Sequence, residues 1–136
     1  MSGPIPVVDL FAGSGGLGEG FASCLADAQA PAFQLRLSIE MDPDAHTTLE
    51  LRSFFRQFPQ GAAPEAYYQR LRCAITTEAL FALYPIQAQR ARAAAWRVEL
   101  GKAPPVELHE RIRHAVWVEV RSGSSVAGRR AKPTRS

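Results

Sequence analysis

The residues with the clearest chemical potential lie near the N-terminus. The stretch DLFAGSGGLGEGF, residues 9–21, contains five glycines, and no other part of the chain is comparable. Glycine has no Cβ, so its backbone can approach a ligand closely and adopt positive φ. Residues 13–18 also match the pattern G-x-G-x-x-G, which forms nucleotide-binding loops between a strand and a helix. We therefore interpret this stretch as a ligand-binding loop.

A carboxylate follows at the spacing that such loops use. Glu40 closes the next predicted strand, 22 positions after Gly18. An acidic residue about 20 positions beyond the loop accepts hydrogen bonds from ribose hydroxyls in the dinucleotide-binding pattern. The sequence therefore predicts a site that binds the nucleoside part of a cofactor.

The charges around the loop bear on which cofactor it binds. A phosphate-binding P-loop requires lysine after its last glycine, and Glu19 stands there instead. Asp9 and Glu19 flank the loop with negative charge, which suits a cationic ligand better than a diphosphate. S-adenosyl-L-methionine carries a sulfonium and an ammonium group and no phosphate, so the loop points to a methyl donor. A loop that binds NAD stays open as an alternative.

The elements that position this loop alternate between strand and helix. A β-branched and aromatic run predicts a buried strand over residues 7–11, and a stripe of Leu17, Phe21 and Leu25 predicts a helix over 17–25. Strict alternation predicts a half-buried strand over 33–39. Asp42 before a proline then starts a helix over 43–58, with a core stripe of phenylalanines. The order β, loop, α, β, α favours a parallel α/β sheet.

The second half of the chain is predicted to be mainly helical. Helices are expected at residues 64–72, 77–84, 86–100 and 105–114, followed by a strand over 115–120. Residues 121–136 contain five basic and no acidic residues, so residues 1–120 have a net charge of −2. We interpret residues 121–136 as a basic, disordered tail.

Composition narrows the class of protein. The 136 residues suit one domain, and the 46% hydrophobic and 21% charged shares are those of a globular protein. No apolar run approaches the length of a membrane span, and no leader precedes the first strand, so we expect a cytoplasmic protein without a membrane partner. Cys24 and Cys73 form no metal-binding or disulfide pattern, and we expect no metal site.

The stretch DLFAGSGGLGEGF followed by IEMD resembles the first two motifs of the DNA (cytosine-5) methyltransferases. The resemblance is firm over residues 7–58 and weaker beyond. It implies a Rossmann-like S-adenosylmethionine-dependent methyltransferase fold, incomplete, in residues 1–120, with a helical insertion at about 62–114. It also implies DNA as the partner and restriction-modification as the setting.

The resemblance also implies which residues bind S-adenosyl-L-methionine. Phe11 and the backbone of the loop would line the cofactor, Glu40 would bond its ribose, and Met41 would pack on its adenine. The full set of expected cofactor-binding residues is Asp9, Phe11, Ala12, Gly13, Ser14, Gly15, Gly16, Leu17, Glu40 and Met41.

The catalytic motifs of that family have no counterpart in the chain. Family members attack cytosine C6 with a cysteine in a Pro-Cys-Gln loop, assisted by a glutamate in Glu-Asn-Val, and neither motif occurs here. The predicted strand over 115–120 would lead into that loop in the family, but Glu119-Val-Arg-Ser-Gly follows instead. Cys24 and Cys73 are interpreted as buried or incidental cysteines, so no catalytic residue is assigned.

We therefore expect a chain that is truncated before its catalytic loop. It would bind S-adenosyl-L-methionine weakly and would not methylate DNA unless a complementing chain supplied the nucleophile and the target-recognition region. Two alternatives are a fragment of an NAD-dependent oxidoreductase and a noncatalytic DNA-binding module that uses the basic tail.

Overall fold

A computed structural model describes residues 3–27 and 29–122, with side chains as far as Trp117. The prediction of a disordered tail at 121–136 therefore falls almost entirely outside the described residues. The strands are β1 (Ile5–Asp9), β2 (Leu25–Asp27), β3 (Ala30–Pro31), β4 (Phe33–Glu40) and β5 (Ala95–Arg97). The helices are α1 (Gly16–Ala22), α2 (Pro43–Phe55), α3 (Glu65–Leu71), α4 (Thr77–Leu83), α5 (Pro85–Ala94) and α6 (Pro105–Ser122).

Three strands form a parallel sheet in the order β1, β4, β5. The prediction of an α/β fold with a parallel sheet is confirmed. Parallel strands need crossover connections, and the chain provides them through α1 between β1 and β4 and through α2 to α5 between β4 and β5. Strands β2 and β3 form a separate antiparallel pair in the first connection.

Strand β4 lies at the centre of the sheet and is more buried than its alternating sequence predicted. Leu37, Ser38 and Ile39 are all buried, although a half-buried strand would expose every second residue. The strand has β1 on one side and β5 on the other, and helices α1, α2, α5 and α6 contact it. Enclosure by these neighbours buries consecutive residues, as is usual for parallel strands.

Strand β1 was predicted to be buried, and that prediction is wrong for the described chain. The prediction covered residues 7–11, of which Val7, Val8 and Asp9 are half-buried in the strand, whereas Leu10 and Phe11 lie beyond its end and are exposed. The strand lies at the edge of the sheet, paired with β4 alone. Because β1 has a described strand on one side only, its apolar residues are less buried than those of the central strand β4.

Helix α2 begins as predicted and ends three residues before the predicted position. The side chain of Asp42 caps it by accepting hydrogen bonds from the amides of Asp44 and Ala45 at 3.0 and 2.8 Å. Phe54 is fully buried and stacks on Phe81 at 5.1 Å between ring centroids. Phe54 is the centre of a hydrophobic core between α2 and the helices that follow. This core is formed by Phe54, Tyr67, Leu80, Phe81, Ala88 and Ala91.

The predicted helix over 17–25 is shorter than expected. Helix α1 ends at Ala22, and Leu25 belongs to β2. Leu17 and Leu25 are exposed, while Phe21 packs edge-on against Phe33 at 5.1 Å. The predicted apolar stripe is therefore wrong except for its middle residue, because the return to β4 by way of β2 and β3 starts before a third helical turn can form.

The predicted helix over 86–100 is two elements. Helix α5 ends at Ala94, and Ala95–Arg97 forms β5, with Ala95 buried against the sheet. The amide of Val98 extends the pairing by donating to the carbonyl of Glu40 at 3.2 Å. Pairing with β4 satisfies backbone groups that the helix would otherwise use, so a tertiary contact overrides the local helix preference.

The strand predicted over 115–120 is helical instead. Residues 105–122 form the single helix α6, which contacts β1 and β4. Leu108, Ile112, Ala115 and Val116 recur at helical spacing and are all half-buried. The β-branched run was too short to distinguish a strand from the buried side of a helix.

Among residues 3–27 and 29–122, no helix combines the length and the apolar character that a membrane span requires.

Candidate functional site

The glycine loop and the end of β4 lie side by side at the carboxyl edge of the parallel sheet. The amide of Ala12 donates to the carbonyl of Ile39 at 3.0 Å, which extends the pairing of β1 and β4 beyond Asp9. The loop from Phe11 to Gly15 is therefore held directly beside Glu40. This edge is where open parallel sheets bind ligands.

The glycines of the loop have distinct structural roles. Gly15 caps α1 with φ of 90°, a value that residues with a Cβ rarely adopt, and a Cβ there would lie 2.8 Å from Cδ2 of buried Leu49. Gly13 also has a positive φ of 55° but faces open space. A Cβ at Gly18 would lie 2.7 Å from Leu35. Gly15 and Gly18 thus allow the loop and α1 to pack closely on α2 and β4, and Gly13 leaves its surroundings open.

Glu40 binds the loop as well as ending its own strand. Its Oε2 accepts a hydrogen bond from the amide of Gly13 at 2.7 Å, and its Oε1 accepts from the amides of Met41 and Asp42 at 2.8 and 2.9 Å. A carboxylate has about four lone-pair positions, so three backbone amides leave roughly one for a ligand. The expectation that Glu40 could accept from two ribose hydroxyls therefore requires it to share or release a backbone amide.

These hydrogen bonds stabilise the ionised form of Glu40. The amide of Asp42 has the largest effect and lowers the pKa of the Glu40 carboxyl, and the amides of Gly13 and Met41 act in the same direction. Desolvation and the charge of Asp42 oppose them without reversing the shift. Glu40 is a fixed anion at neutral pH.

Exposed apolar side chains occur on the segments next to this carboxylate. Phe11 is 83% exposed, Met41 is 60% exposed, and Leu17 is also exposed. They come from the loop, from α1 and from the residue after β4, segments that the hydrogen bonds of Ala12 and Glu40 hold together. Large apolar side chains exposed near one another often mark a ligand-binding or interaction surface.

The remaining predicted residues lie on the same edge. Asp9 ends β1 opposite Ser38 and is half-buried, and Ser14 is exposed in the loop. Ala12 is buried, and Gly16 is the first residue of α1. The fold thus brings all ten predicted residues to one edge of the sheet, although Ala12 offers a ligand backbone at most.

Glu19 has an ion-pair partner that no sequence pattern singled out. Its carboxylate forms an ion pair with Arg56, which lies 37 residues away just beyond α2. Burial lowers the pKa of the Arg56 guanidinium, and the charge of Glu19 opposes that shift. Because Arg56 pairs with Glu19, Glu19 does not contribute the uncompensated negative charge beside the loop that was expected of it. In the folded chain, Asp9 and Glu40 supply the negative charge beside the loop.

The cysteines and histidines lie outside the set of ten residues predicted for the candidate site. Cys24 and Cys73 were interpreted as buried or incidental cysteines. Both are exposed, so the interpretation as buried cysteines is wrong. His46 is half-buried, with Nε2 2.9 Å from the carbonyl of Ala95. Among the side chains described in residues 3–27 and 29–117, no three from His, Cys, Asp or Glu are arranged to hold a metal ion.

Comparisons of the chain with protein-family models, with curated proteins and with solved structures gave no match. The candidate site therefore stands on its own geometry, which combines an open glycine loop, a fixed carboxylate and exposed apolar side chains at the carboxyl edge of a parallel sheet.

Proposed function

We propose that the chain is the cofactor-binding part of a Rossmann-like methyltransferase and that it binds S-adenosyl-L-methionine at the edge formed by the glycine loop and Glu40. The observation that carries the proposal is the hydrogen bond from the Gly13 amide to Glu40 Oε2 at 2.7 Å. It sets an anionic acceptor for ribose beside open backbone, with Phe11 and Met41 exposed nearby to pack on adenine.

The same carboxylate favours this cofactor over NAD. A diphosphate bound on the loop would compete with Glu40 for the Gly13 amide and would meet the charges of Glu40 and Asp9. The sulfonium and ammonium groups of S-adenosyl-L-methionine would be attracted by both. Charge complementarity therefore supports a methyl donor, and the oxidoreductase alternative is tested by the same titrations.

The resemblance to DNA (cytosine-5) methyltransferases gives the proposed reaction, methyl transfer to cytosine C5 in DNA in a cytoplasmic restriction-modification setting. The chain lacks the Pro-Cys-Gln nucleophile of that family, so we propose that it binds cofactor without methylating DNA by itself. Strand β1 lies at the edge of the described sheet, and the backbone groups of an edge strand can pair with a strand from a further polypeptide. A complementing chain would supply the catalytic loop and the target-recognition region.

Calorimetric titration with S-adenosylhomocysteine tests the cofactor site. We expect binding that Glu40→Ala weakens about tenfold or more, because charge-assisted hydrogen bonds are lost. Glu78→Ala is the matched control, since Glu78 is exposed on α4 away from the site. NAD should not bind.

A second variant separates ligand contact from support of the loop. Met41→Ala removes an exposed side chain whose atoms make no hydrogen bond, so the loop should persist while cofactor affinity falls several-fold. Leu83→Ala, which truncates a similarly exposed apolar side chain on α4, should have no effect. A chain that is folded by circular dichroism and binds no S-adenosylhomocysteine would overturn the cofactor proposal.

Co-expression tests complementation. A second chain carrying Pro-Cys-Gln and a recognition region should produce 5-methylcytosine in host DNA when combined with this chain, and Glu40→Ala should reduce the yield. Absence of 5-methylcytosine from cells in which both chains are soluble and associated would argue against complementation.

A further inference from the structure

The end of β5 lies beside the residues proposed to bind the nucleoside of the cofactor. Arg97 is the last residue of this strand and pairs in register with Glu40, the last residue of β4. The two strands are parallel, so both residues lie at the carboxyl edge of the sheet. The amide of Val98 donates to the carbonyl of Glu40 at 3.2 Å, so the backbone next to Arg97 is held against β4 beyond the end of the strand.

The guanidinium of Arg97 lies next to Met41. Its Nε is 3.5 Å from the carbonyl oxygen of Met41, which is the long limit of a hydrogen bond. Arg97 is exposed, and among the side chains described no carboxylate forms an ion pair with it. The planar guanidinium is therefore available to a ligand that covers the exposed side chain of Met41.

The order of the strands gives a ligand at this edge a direction. The glycine loop follows β1, Glu40 ends the central strand β4, and Arg97 ends β5 on the far side. Neighbouring strands lie about 4.8 Å apart, so the step from Glu40 to Arg97 is similar to the step from a ribose to its base. With the ribose at Glu40 and the sulfonium towards the loop and Asp9, the base would extend towards β5. The carboxylates would then lie near the cationic part of the cofactor, and Arg97 near its uncharged base.

We propose that Arg97 is a further cofactor-binding residue, whose guanidinium stacks on the adenine base beside Met41. The inference rests on the proposed function, because it concerns the adenine end of the same site. Arginine suits this role because its guanidinium is planar and weakly hydrated and stacks on aromatic rings, including bases. The ten residues expected from the sequence include none from β5, since a helix was predicted over residues 86–100.

Calorimetric titration of the full chain with S-adenosylhomocysteine, adenosine and S-ribosylhomocysteine tests the proposal. S-ribosylhomocysteine carries the sugar and the amino-acid part but no base. We expect Arg97→Ala to weaken S-adenosylhomocysteine and adenosine by the same factor, about fivefold, and to leave S-ribosylhomocysteine unchanged. Arg97→Lys keeps the charge but not the planar group, so it should lose most of the same affinity.

Two controls make the result specific. Arg113→Ala removes the same side chain from an exposed position on α6 and should leave all three affinities unchanged. Urea unfolding of Arg97→Ala should match that of the parent, because the side chain is exposed, and this separates a ligand contact from a loss of β5.

Three results would overturn the role of Arg97 while leaving the proposed function intact. In the first, Glu40→Ala weakens S-adenosylhomocysteine and Arg97→Ala does not. In the second, Arg97→Ala weakens S-ribosylhomocysteine as much as S-adenosylhomocysteine, and in the third, Arg97→Lys keeps the full affinity of the parent. A folded parent that binds neither S-adenosylhomocysteine nor adenosine would overturn the proposed function itself, and the role of Arg97 with it.

Discussion

The Gly13 amide and the Glu40 carboxylate, 27 residues apart in the chain, form a 2.7 Å hydrogen bond across the ends of two neighbouring parallel strands. The bond joins the loop that follows β1 to the residue that ends β4. It gives Glu40 a structural role in the loop before any ligand arrives.

We predict that Glu40→Gln destabilises the fold in a pH-dependent way. The pKa of Glu40 is lowered below its usual 4.5, chiefly by the Asp42 amide, so its contribution to stability is complete above the unfolded pKa and is lost as pH falls through the folded one. Urea unfolding should show Glu40→Gln less stable than the parent by about 1–2 kcal/mol at neutral pH. The difference should shrink below pH 4.5.

Glu78→Gln is the control for this experiment, because Glu78 is exposed in the first turn of α4. It should change stability by a few tenths of a kcal/mol at neutral pH. A stability difference for Glu40→Gln that stays constant from neutral to acidic pH would contradict the assigned role of the ionised carboxylate.

We predict opposite effects on stability for two glycine-to-alanine changes in the same glycine-rich stretch. Gly15→Ala should cost about 2 kcal/mol or more, since it forces a Cβ into φ of 90° and to within 2.8 Å of a Leu49 methyl group. Gly20→Ala lies inside α1 with nothing within 4 Å and should stabilise the chain by up to about 1 kcal/mol. Thermal unfolding of both variants measures this, and equal effects would contradict the packing described for Gly15.

We predict that neighbouring phenylalanines on α2 contribute very differently to stability. Phe54 is fully buried among the helices, so Phe54→Ala should cost about 3–5 kcal/mol through lost burial and a cavity. Phe55 is 39% exposed and contacts Tyr67 at 5.0 Å between ring centroids, so Phe55→Ala should cost about 1 kcal/mol. Comparable losses in urea unfolding would mean that the helical core is not centred on Phe54.

We predict that Cys73→Gly stabilises the protein by about 0.5–1 kcal/mol. Cys73 follows α3 with φ of 59°, its amide donates to the carbonyl of Arg70, and the Ala74 amide donates to that of Gln69. This is the helix ending in which glycine is preferred at the left-handed position. Cys24→Gly, which also removes an exposed thiol but from a position without positive φ, should not stabilise the chain in the same unfolding assay.

Local signals predicted the order of the elements around the candidate site, but not the burial of β1 or the length of α1. The Asp42 cap and following proline fixed where α2 begins, and the glycine pattern between two apolar runs fixed the order of strand, loop and helix. Glu40, which ends the second of the predicted strands (β4 in the structure), was also predicted to belong to the same site as the loop. These features depend on residues close in sequence, or on the rule that parallel strands end at one edge.

Features that depend on distant partners were not predictable in this way. Residues 95–97 become a strand because β4 offers a pairing edge, and residues 115–120 become helical because α6 packs on β1 and β4. The Glu19 and Arg56 pair joins segments 37 residues apart and changes the charge of the candidate site. The periodicity of apolar residues does not reveal strand pairing, helix packing or ion pairs between residues that are distant in sequence.

The sequence by itself determined the alternation of strand and helix at the N-terminus, the glycine loop and the acidic residue that faces it, because backbone freedom, capping and apolar spacing act locally. The tertiary structure alone decided which strand is central, how far the Glu40 carboxylate is already occupied by backbone amides, and which residue pairs with Glu19. These depend on which segments meet in space, and burial and hydrogen-bond competition are settled only there.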